Sequence, residues 1–186
     1  MGLDILGVSS DYMHEYTDDD DEIEIGEIYS SAHISYSGYS TFRDALIRYC
    51  TEGHISSIGS NYFGMPLACC FYDDKTYAVA FNPECFTQEE IMNNQEVSNY
   101  VLKLKCLQKD YPKLYNIYDF VCHSDCEGEV LADTCERLLP ILTEFIDTFE
   151  ECKEKFNYAE WVVDFAKRLS NVLTEIVPVG GKLLYS

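Results

Sequence analysis

The chain has 186 residues, 47% of them hydrophobic, which fits one globular domain that buries its own core. Its 33 acidic residues outnumber the 13 lysines and arginines and give a net charge of -20. Such a charge repels phosphate backbones, so the composition argues against direct binding to nucleic acid.

No signal peptide opens the sequence, and no apolar run approaches the roughly 20 residues of a membrane helix. We therefore expect a cytoplasmic protein without a membrane partner. The nine cysteines are odd in number and lack the spacing of a disulfide framework, which predicts reduced thiols.

An acidic segment marks the start of the chain. Residues 1–42 contain ten acids and no lysine or arginine, and nine of these acids lie between Asp11 and Glu27. Because the run Asp18–Glu22 repels itself and stays in water, we predict a flexible acidic loop over about residues 11–27 within a single domain of residues 1–186.

In the first half of the chain, alternating apolar residues predict strands, and small or polar residues mark turns and helix caps. The predicted elements are strands at Leu3–Val8 and Glu27–Tyr29, a turn at Ser35–Tyr39, a helix capped by Ser40 or Thr41 that ends at Gly53, and a hairpin of Ala68–Tyr72 with Tyr77–Phe81.

In the second half, a capping box, an aromatic and β-branched run and a spacing of four between apolar residues define the elements. They are a helix from Thr87 to about Lys109, a buried strand at Tyr115–Cys122, a helix at Thr134–Phe156 bent near Pro140, a last helix capped by Asn157 with a buried stripe of Trp161, Phe165, Leu169 and Leu173, and a strand at Lys182–Tyr185. This mixture predicts an α+β fold, a small, mostly antiparallel sheet packed against about four helices.

One cluster of reactive residue types, Cys122–Glu129, lies between the predicted strand and the helix that follows it. Adjacent residues do not readily converge on one ion and zinc-finger spacing is absent, so we predict no metal site. A nucleophile could be Cys126 or Cys122 paired with His123. The pair of Cys122 and His123 is disfavoured, because neighbours in a strand point to opposite faces. The simplest interpretation is a tight turn held by side-chain bonds to the backbone.

A second cluster, Ser35–Arg43, places aromatic residues beside a small-residue turn at a helix start. Such a turn is suited to an anion or a planar ring. Arg43 is the first basic residue of the chain, and it is either a ligand contact or the internal partner of a carboxylate such as Asp125 or Glu127.

These motifs resemble a family of small uncharacterised proteins from phages and bacteria, which open with M-G-L-D-I and carry a tyrosine-glycine turn, a central S-D-C-E-G segment and a late aromatic helix. The matching stretches are Met1–Ile5, Ser35–Arg43, Ser124–Gly128 and Phe156–Phe165. The resemblance implies that the two clusters face each other across one cleft that binds a ligand. The predicted ligand-binding residues are Tyr36, Ser37, Gly38, Tyr39, Arg43, His123, Ser124, Asp125 and Glu127.

Phage proteins of this size are often counter-defence factors, so the resemblance implies a non-enzymatic protein that sequesters a nucleotide-type immune signal, without a cofactor. Tyr36 and Tyr39 then stack on a base and Arg43 holds a phosphate. One alternative is an acidic inhibitor that mimics nucleic acid and binds a host defence protein through Asp18–Glu22. The other is a small hydrolase that uses the segment His123–Glu127. All three allow a homo-oligomer.

Overall fold

The fold combines an antiparallel sheet with helices, in a computed structural model that describes residues 2–16, 22–56, 61–62, 65–66, 87, 89, 93, 95–123 and 128–186. Contacts between Cα atoms divide the chain into a first unit, Met1–Phe42 with Ser124–Ser186, and a second unit, Arg43–His123. Helix and sheet together confirm the predicted α+β class.

Eight strands lie in the described residues. They are β1 (Gly2–Val8), β2 (Met13–Tyr16), β3 (Glu22–Ile25), β4 (Ile28–Ser35), β5 (Asn61–Tyr62), β6 (Met65–Pro66), β7 (Gly128–Val130) and β8 (Lys182–Tyr185). The same residues contain seven α-helices, α1 (Tyr36–Cys50), α2 (Gln95–Asp110), α3 (Pro112–Asn116), α4 (Tyr118–Cys122), α5 (Ala132–Asp147), α6 (Phe149–Phe156) and α7 (Glu160–Ile176).

The first unit is built on one four-stranded sheet, in the order β4-β1-β8-β7 with every neighbouring pair antiparallel. Leu3, Ile5, Ala32 and Ile34 share one face of this sheet and are buried, because side chains alternate along a strand. Helix α7 packs on that face, chiefly against β4, and α5 packs against α7.

A close approach of helix and sheet explains why β1 contains a glycine in its interior. A Cβ atom at Gly7 would lie 2.6 Å from Val172 Cγ1 and 2.8 Å from Ile176 Cγ2, both on α7. Any larger residue would therefore push α7 away from the sheet.

The second unit begins inside α1, after Phe42, and its described part is mainly helical. Helices α2, α3 and α4 follow one another and pack in sequence. Strands β5 and β6 form a short antiparallel pair. At the end of α1, Thr51 Oγ1 donates to the Ile47 carbonyl and accepts from the Ile55 amide, and so holds the turn that leaves the helix.

Two predictions in the second unit have different outcomes. The helix predicted to end near Lys109 is confirmed by α2. The strand predicted at Tyr115–Cys122 is wrong, because this stretch forms the end of α3 and all of α4. The burial is as expected, yet a short apolar run does not distinguish a buried strand from a buried helix, and Pro112 favours a helix start.

The predictions for the last helices need three corrections. The helix expected from Thr134 begins at Ala132, keeps Pro140 inside α5 and is interrupted at Thr148. Asn157 does not cap the last helix: its left-handed backbone, with φ 57°, ends α6, and Ala159 precedes α7. Trp161 is 39% exposed, whereas the other three residues of the predicted stripe are fully buried.

The acidic segment contains more regular structure than its charge suggests. Strands β2 and β3 occupy Met13–Tyr16 and Glu22–Ile25, inside the stretch expected to be a loop. The alternation of glutamate and isoleucine in β3 is the pattern of a strand with two different faces. Residues 17–21 and the predicted hairpin of residues 68–81 lie outside the described residues.

Candidate functional site

The junction of β4 and α1 forms the first part of the candidate site. The predicted turn at Ser35–Tyr39 is wrong, because Ser35 ends β4 and the helix starts at Tyr36. The Gly38 amide donates to Ser35 Oγ at 3.1 Å, so Ser35, rather than Ser40 or Thr41, caps α1. A Cβ atom on Gly38 would lie 2.9 Å from that oxygen, which makes glycine the residue that fits this cap.

A groove of about 380 Å³ opens beside this junction. Three of the predicted site residues lie at or near it: Ser37 and Gly38 line it, and half-buried Tyr36 precedes them at the helix start. The complete lining is Ile34, Ser35, Ser37, Gly38, Thr41 and Trp161. Hydroxyl groups and one exposed indole ring give this groove the character of a site for a planar, polar group.

Tyr39 lies in the core of the first unit. Its side chain is fully buried, its hydroxyl oxygen is 2.8 Å from that of Tyr185, and the two rings meet edge to face. A ring enclosed in this way has no face left for stacking on a base, so this structure gives Tyr39 a packing role.

Arg43 and His123 meet in the second unit. Arg43 is only 8% exposed, and its Nη1 atom donates to the His123 carbonyl oxygen at 2.7 Å. This contact is with a backbone carbonyl, and the expected pairing of Arg43 with Asp125 or Glu127 stays a prediction. Ser124, Asp125 and Glu127 lie outside the described residues, so the predicted cleft and the hydrolase alternative stay predictions.

The first unit also carries an acidic ribbon, which we define as residues 11–29 with β2 and β3 at its centre. Met13 pairs directly with Ile25 across the two strands, and their side chains are 42% and 45% exposed. Ile28 and Tyr29 at the start of β4 are exposed as well. Large apolar side chains thus stand on the surface of the most acidic segment of the chain.

Hydrogen bonds fix the base of the acidic ribbon. Ser9 binds Glu27 twice, since its amide donates to the Glu27 carbonyl and its Oγ accepts from the Glu27 amide, both at 2.9 Å. Tyr12 Oη donates to Glu24 Oε1 at 2.8 Å. These contacts join the base of the ribbon to the segment that follows β1.

The electrostatic environment of the acidic ribbon acts on Tyr29. Desolvation raises the pKa of this phenol above its usual value of 10.0, and the carboxylates of Glu27 and Asp11 raise it further. An added negative charge on Tyr29 is therefore disfavoured.

A second concave region lies in the second unit, between the end of α1 and the junction of α2 and α3. It measures about 640 Å³ and is lined by Cys50, Thr51, Glu52, His54, Lys109, Asp110, Tyr111, Pro112 and Lys113. Two lysines and two acids balance each other in this lining, so it has no preference for an anion. On α2, Lys105 and Lys109 are exposed, as expected for charged residues on the solvated face of a helix.

Metal ligands, membrane-spanning helices and disulfides are considered for the described residues only. Within them no group of three metal-ligating side chains is close enough to hold an ion. The helices in that part of the chain are too short or too polar to span a bilayer. The cysteines described, at positions 50, 106, 122, 135 and 152, form no disulfide within that part of the chain.

Sequence reasoning missed three exposed candidate residues, Trp161, Met13 and Ile25. The spacing of four places Trp161 on the same side of the helix as Phe165, Leu169 and Leu173, and so predicts that it is buried. The spacing does not show at which residue the neighbouring elements stop covering the helix. The acidic segment that contains Met13 and Ile25 is interpreted from its charge alone, and this interpretation does not predict a strand pair there. The alternation E-I-E-I at Glu22–Ile25 was the available signal for a strand pair.

No protein-family model, curated protein or solved structure matches this chain. The resemblance to the phage and bacterial family therefore stays a prediction.

Proposed function

We propose that this protein is a non-enzymatic binding protein whose acidic ribbon docks on a basic surface of another protein. One observation carries the proposal: Met13 and Ile25 form an exposed apolar cross-strand pair within a segment that has nine acids and no lysine or arginine. Protein interfaces commonly have an apolar centre inside a polar rim, and the ribbon has both parts.

The charge of the acidic ribbon defines its partner. A segment whose sequence contains nine acids is attracted to lysine and arginine clusters, and it is repelled by nucleic acid and by acidic lipid surfaces. Basic clusters on proteins frequently serve to bind nucleic acid, so a protein docked there competes with nucleic acid for the same surface. The resemblance to phage proteins points to a host defence protein as the partner.

The test compares three forms of the protein as baits in a bacterial lysate. The first is the unchanged chain, and the second replaces Asp18–Glu22 with serine and glycine. The third is a charge-matched control that neutralises five exposed acids elsewhere in the first unit. Its substitutions are Glu136→Gln, Glu151→Gln, Glu154→Gln, Asp164→Asn and Glu175→Gln.

We expect one protein to be retained by the unchanged chain and by the charge-matched control, and to be lost with the Asp18–Glu22 variant. Retention should weaken as salt rises from about 0.05 M to about 0.3 M, because the Debye length shortens over that range. Equal retention by all three baits, or retention that is insensitive to salt, contradicts the proposal.

A second candidate function, binding of a small planar polar ligand, is supported by the groove at the β4–α1 junction. Trp161 is the single tryptophan of the chain and stands exposed in the lining of this groove. An indole ring beside the hydroxyls of Ser35, Ser37 and Thr41 suits a base or a similar ring system.

Tryptophan emission reports directly on that groove. Cyclic nucleotides and ADP-ribose-type nucleotides are titrated against the protein, and binding is followed by fluorescence and by calorimetry. A ligand of the groove should change the emission and lose its affinity with Trp161→Ala. Calorimetric binding that leaves the emission unchanged would place the nucleotide elsewhere, and heats at the level of buffer dilution would end this candidate.

A further inference from the structure

Strand β4 forms one edge of the four-stranded sheet. In the order β4-β1-β8-β7 it has β1 on one side, and no described strand pairs with its other side. At eight residues, Ile28–Ser35 is the longest strand in the part of the chain that the structure describes. An edge of this length presents roughly 26 Å of backbone to a partner, from the rise of a strand.

The register identifies which backbone groups of β4 point outward. Asp4 on β1 exchanges both backbone hydrogen bonds with Ser186, on the β8 side of the sheet. Hydrogen-bonded and non-hydrogen-bonded pairs alternate in an antiparallel ladder, so the bonds from β1 to β4 are made by Leu3 and Ile5 instead. Ser31 and His33 pair with Leu6 and Asp4, and their amide and carbonyl groups therefore point away from the sheet.

This edge lacks the features that usually prevent pairing. Its sequence, I-Y-S-S-A-H-I-S, contains no lysine, proline or acid, and the strand interior is without a glycine. Soluble proteins commonly place charges, prolines or bulges on a long edge strand to keep other strands away. The single irregularity in the pairing with β1 lies at the start of the strand, between Gly7 and Val8 on β1.

The two ends of β4 differ in chemistry. Glu24 and Glu27 precede its first residue, on the acidic ribbon. Its last two residues, Ile34 and Ser35, line the groove that contains Trp161. A strand added along β4 thus runs between an acidic end and a pocket with an exposed indole.

We propose that β4 binds an extended segment of the partner protein by strand addition, with basic residues beside the acidic ribbon and a large apolar side chain in the Trp161 groove. Main-chain hydrogen bonds to Ser31 and His33 supply affinity, and the two ends supply specificity and direction. The inference rests on the proposed function for the charge of the partner. A second copy of this chain fits less well, because its net charge is also -20.

The probes are two synthetic peptides of about ten residues, the length of β4 with a short overhang. The first peptide has lysines at its amino terminus, alternating threonine and valine in the middle, and phenylalanine at its carboxy terminus. The second peptide has the same residues in the reverse order. Each is also made with alternate backbone nitrogens methylated, which blocks strand pairing and keeps the charge. Fluorescence anisotropy measures the dissociation constants.

The matched protein variants are Ser31→Pro and Ser31→Ala. Proline removes an outward N–H that the ladder with β1 does not use, whereas alanine keeps it. We expect the peptide of one direction to bind. Ser31→Pro and N-methylation should each weaken the affinity of that peptide about tenfold, and Ser31→Ala should leave the affinity unchanged. The N-methylated peptides test the same contacts on the unchanged protein if Ser31→Pro does not fold.

Each remaining outcome decides a different point. Equal affinity for methylated and unmethylated peptides overturns strand addition, while the charge-based proposal stands. Binding that depends on Ser31 but survives replacement of Asp18–Glu22 supports the edge and contradicts the acidic docking function. If neither peptide binds, strand addition is overturned. Strand addition by a partner protein is also overturned if sedimentation shows a dimer of this chain and Ser31→Pro abolishes that dimer.

Discussion

The hydroxyl oxygens of Tyr39 and Tyr185 lie 2.8 Å apart in the core of the first unit and link the first helix to the last strand. Both side chains are buried, so the bond is shielded from water. A buried hydroxyl that loses its partner keeps its desolvation cost. This pair therefore stabilises the fold at a position that the sequence assigned to ligand binding.

The first prediction is a double-mutant cycle on these two residues. Tyr39→Phe and Tyr185→Phe should each lower the free energy of unfolding by about 1–2 kcal/mol, and the double variant by clearly less than the sum. Urea denaturation measures all four proteins. Strict additivity would show that the two hydroxyls do not interact.

The second prediction concerns Arg43, whose buried guanidinium donates to the His123 carbonyl. Arg43→Ala should lower the free energy of unfolding by about 2–3 kcal/mol, since a charged donor and its packing are both lost. The control is Arg137→Ala, which breaks an exposed pair with Asp133 and a hydrogen bond to Thr134, and which should cost about 1 kcal/mol or less. Unchanged stability with Arg43→Ala, together with lost nucleotide binding, would restore Arg43 as a ligand contact.

The sequence predicted the sheet well where one face of a strand is buried. Alternation of apolar residues placed β1 and the closing strand Lys182–Tyr185 correctly, because burial of one face imposes a period of two. The same reasoning failed at Tyr115–Cys122, because its buried residues do not alternate with exposed ones. The buried residues are Ile117, Tyr118, Phe120, Val121 and Cys122. Tertiary packing, which the local sequence does not contain, decided that this segment is helical.

The candidate site was harder to predict than the fold. Aromatic residues near a helix start are equally compatible with a ligand pocket and with a core. Tyr39 is buried and Trp161 is exposed, the reverse of the expected exposure. Exposure depends on where a helix ends relative to the elements it covers. The acidic charge was visible at once, whereas the exposed pair of Met13 and Ile25 required the strand register.

The third prediction separates Trp161 from the core residue one turn further along α7. Phe165 is fully buried and meets Phe42 edge to face, with ring centroids 4.7 Å apart. Phe165→Ala should cost about 3–5 kcal/mol and Trp161→Ala about 1–2 kcal/mol, measured by urea denaturation. Comparable costs would return Trp161 to the core and remove the groove as a site.

The fourth prediction tests the exposed pair of the acidic ribbon. Met13→Thr with Ile25→Thr should change the free energy of unfolding by less than about 1 kcal/mol, because threonine suits a strand and the replaced side chains face water. The same double variant should lose most of its affinity for the captured partner. The pair would have a structural role instead if the double variant lost its cooperative unfolding transition.

The last prediction is a titration of Tyr29. Its phenol should ionise above 10.0, because desolvation and the carboxylates of Glu27 and Asp11 all disfavour a further negative charge. Glu27→Gln should lower this pKa toward its usual value, and the distant substitution Glu136→Gln should leave it unchanged. Tyrosine ring-carbon resonances, assigned with Tyr29→Phe, measure the titration.

The sign of the accompanying stability change follows from this raised pKa. The neutral phenol is favoured in the folded protein, so the unfolded chain loses this proton first as the pH rises past 10.0. The stability that Tyr29 contributes is therefore complete below pH 10.0 and declines above it. Added salt should bring the pKa closer to its usual value, because it screens the two carboxylates. A pKa at or below 10.0 in low salt would mean that the carboxylates of the acidic ribbon do not raise the pKa of Tyr29. The electrostatic argument for a basic partner would then have no support at this residue.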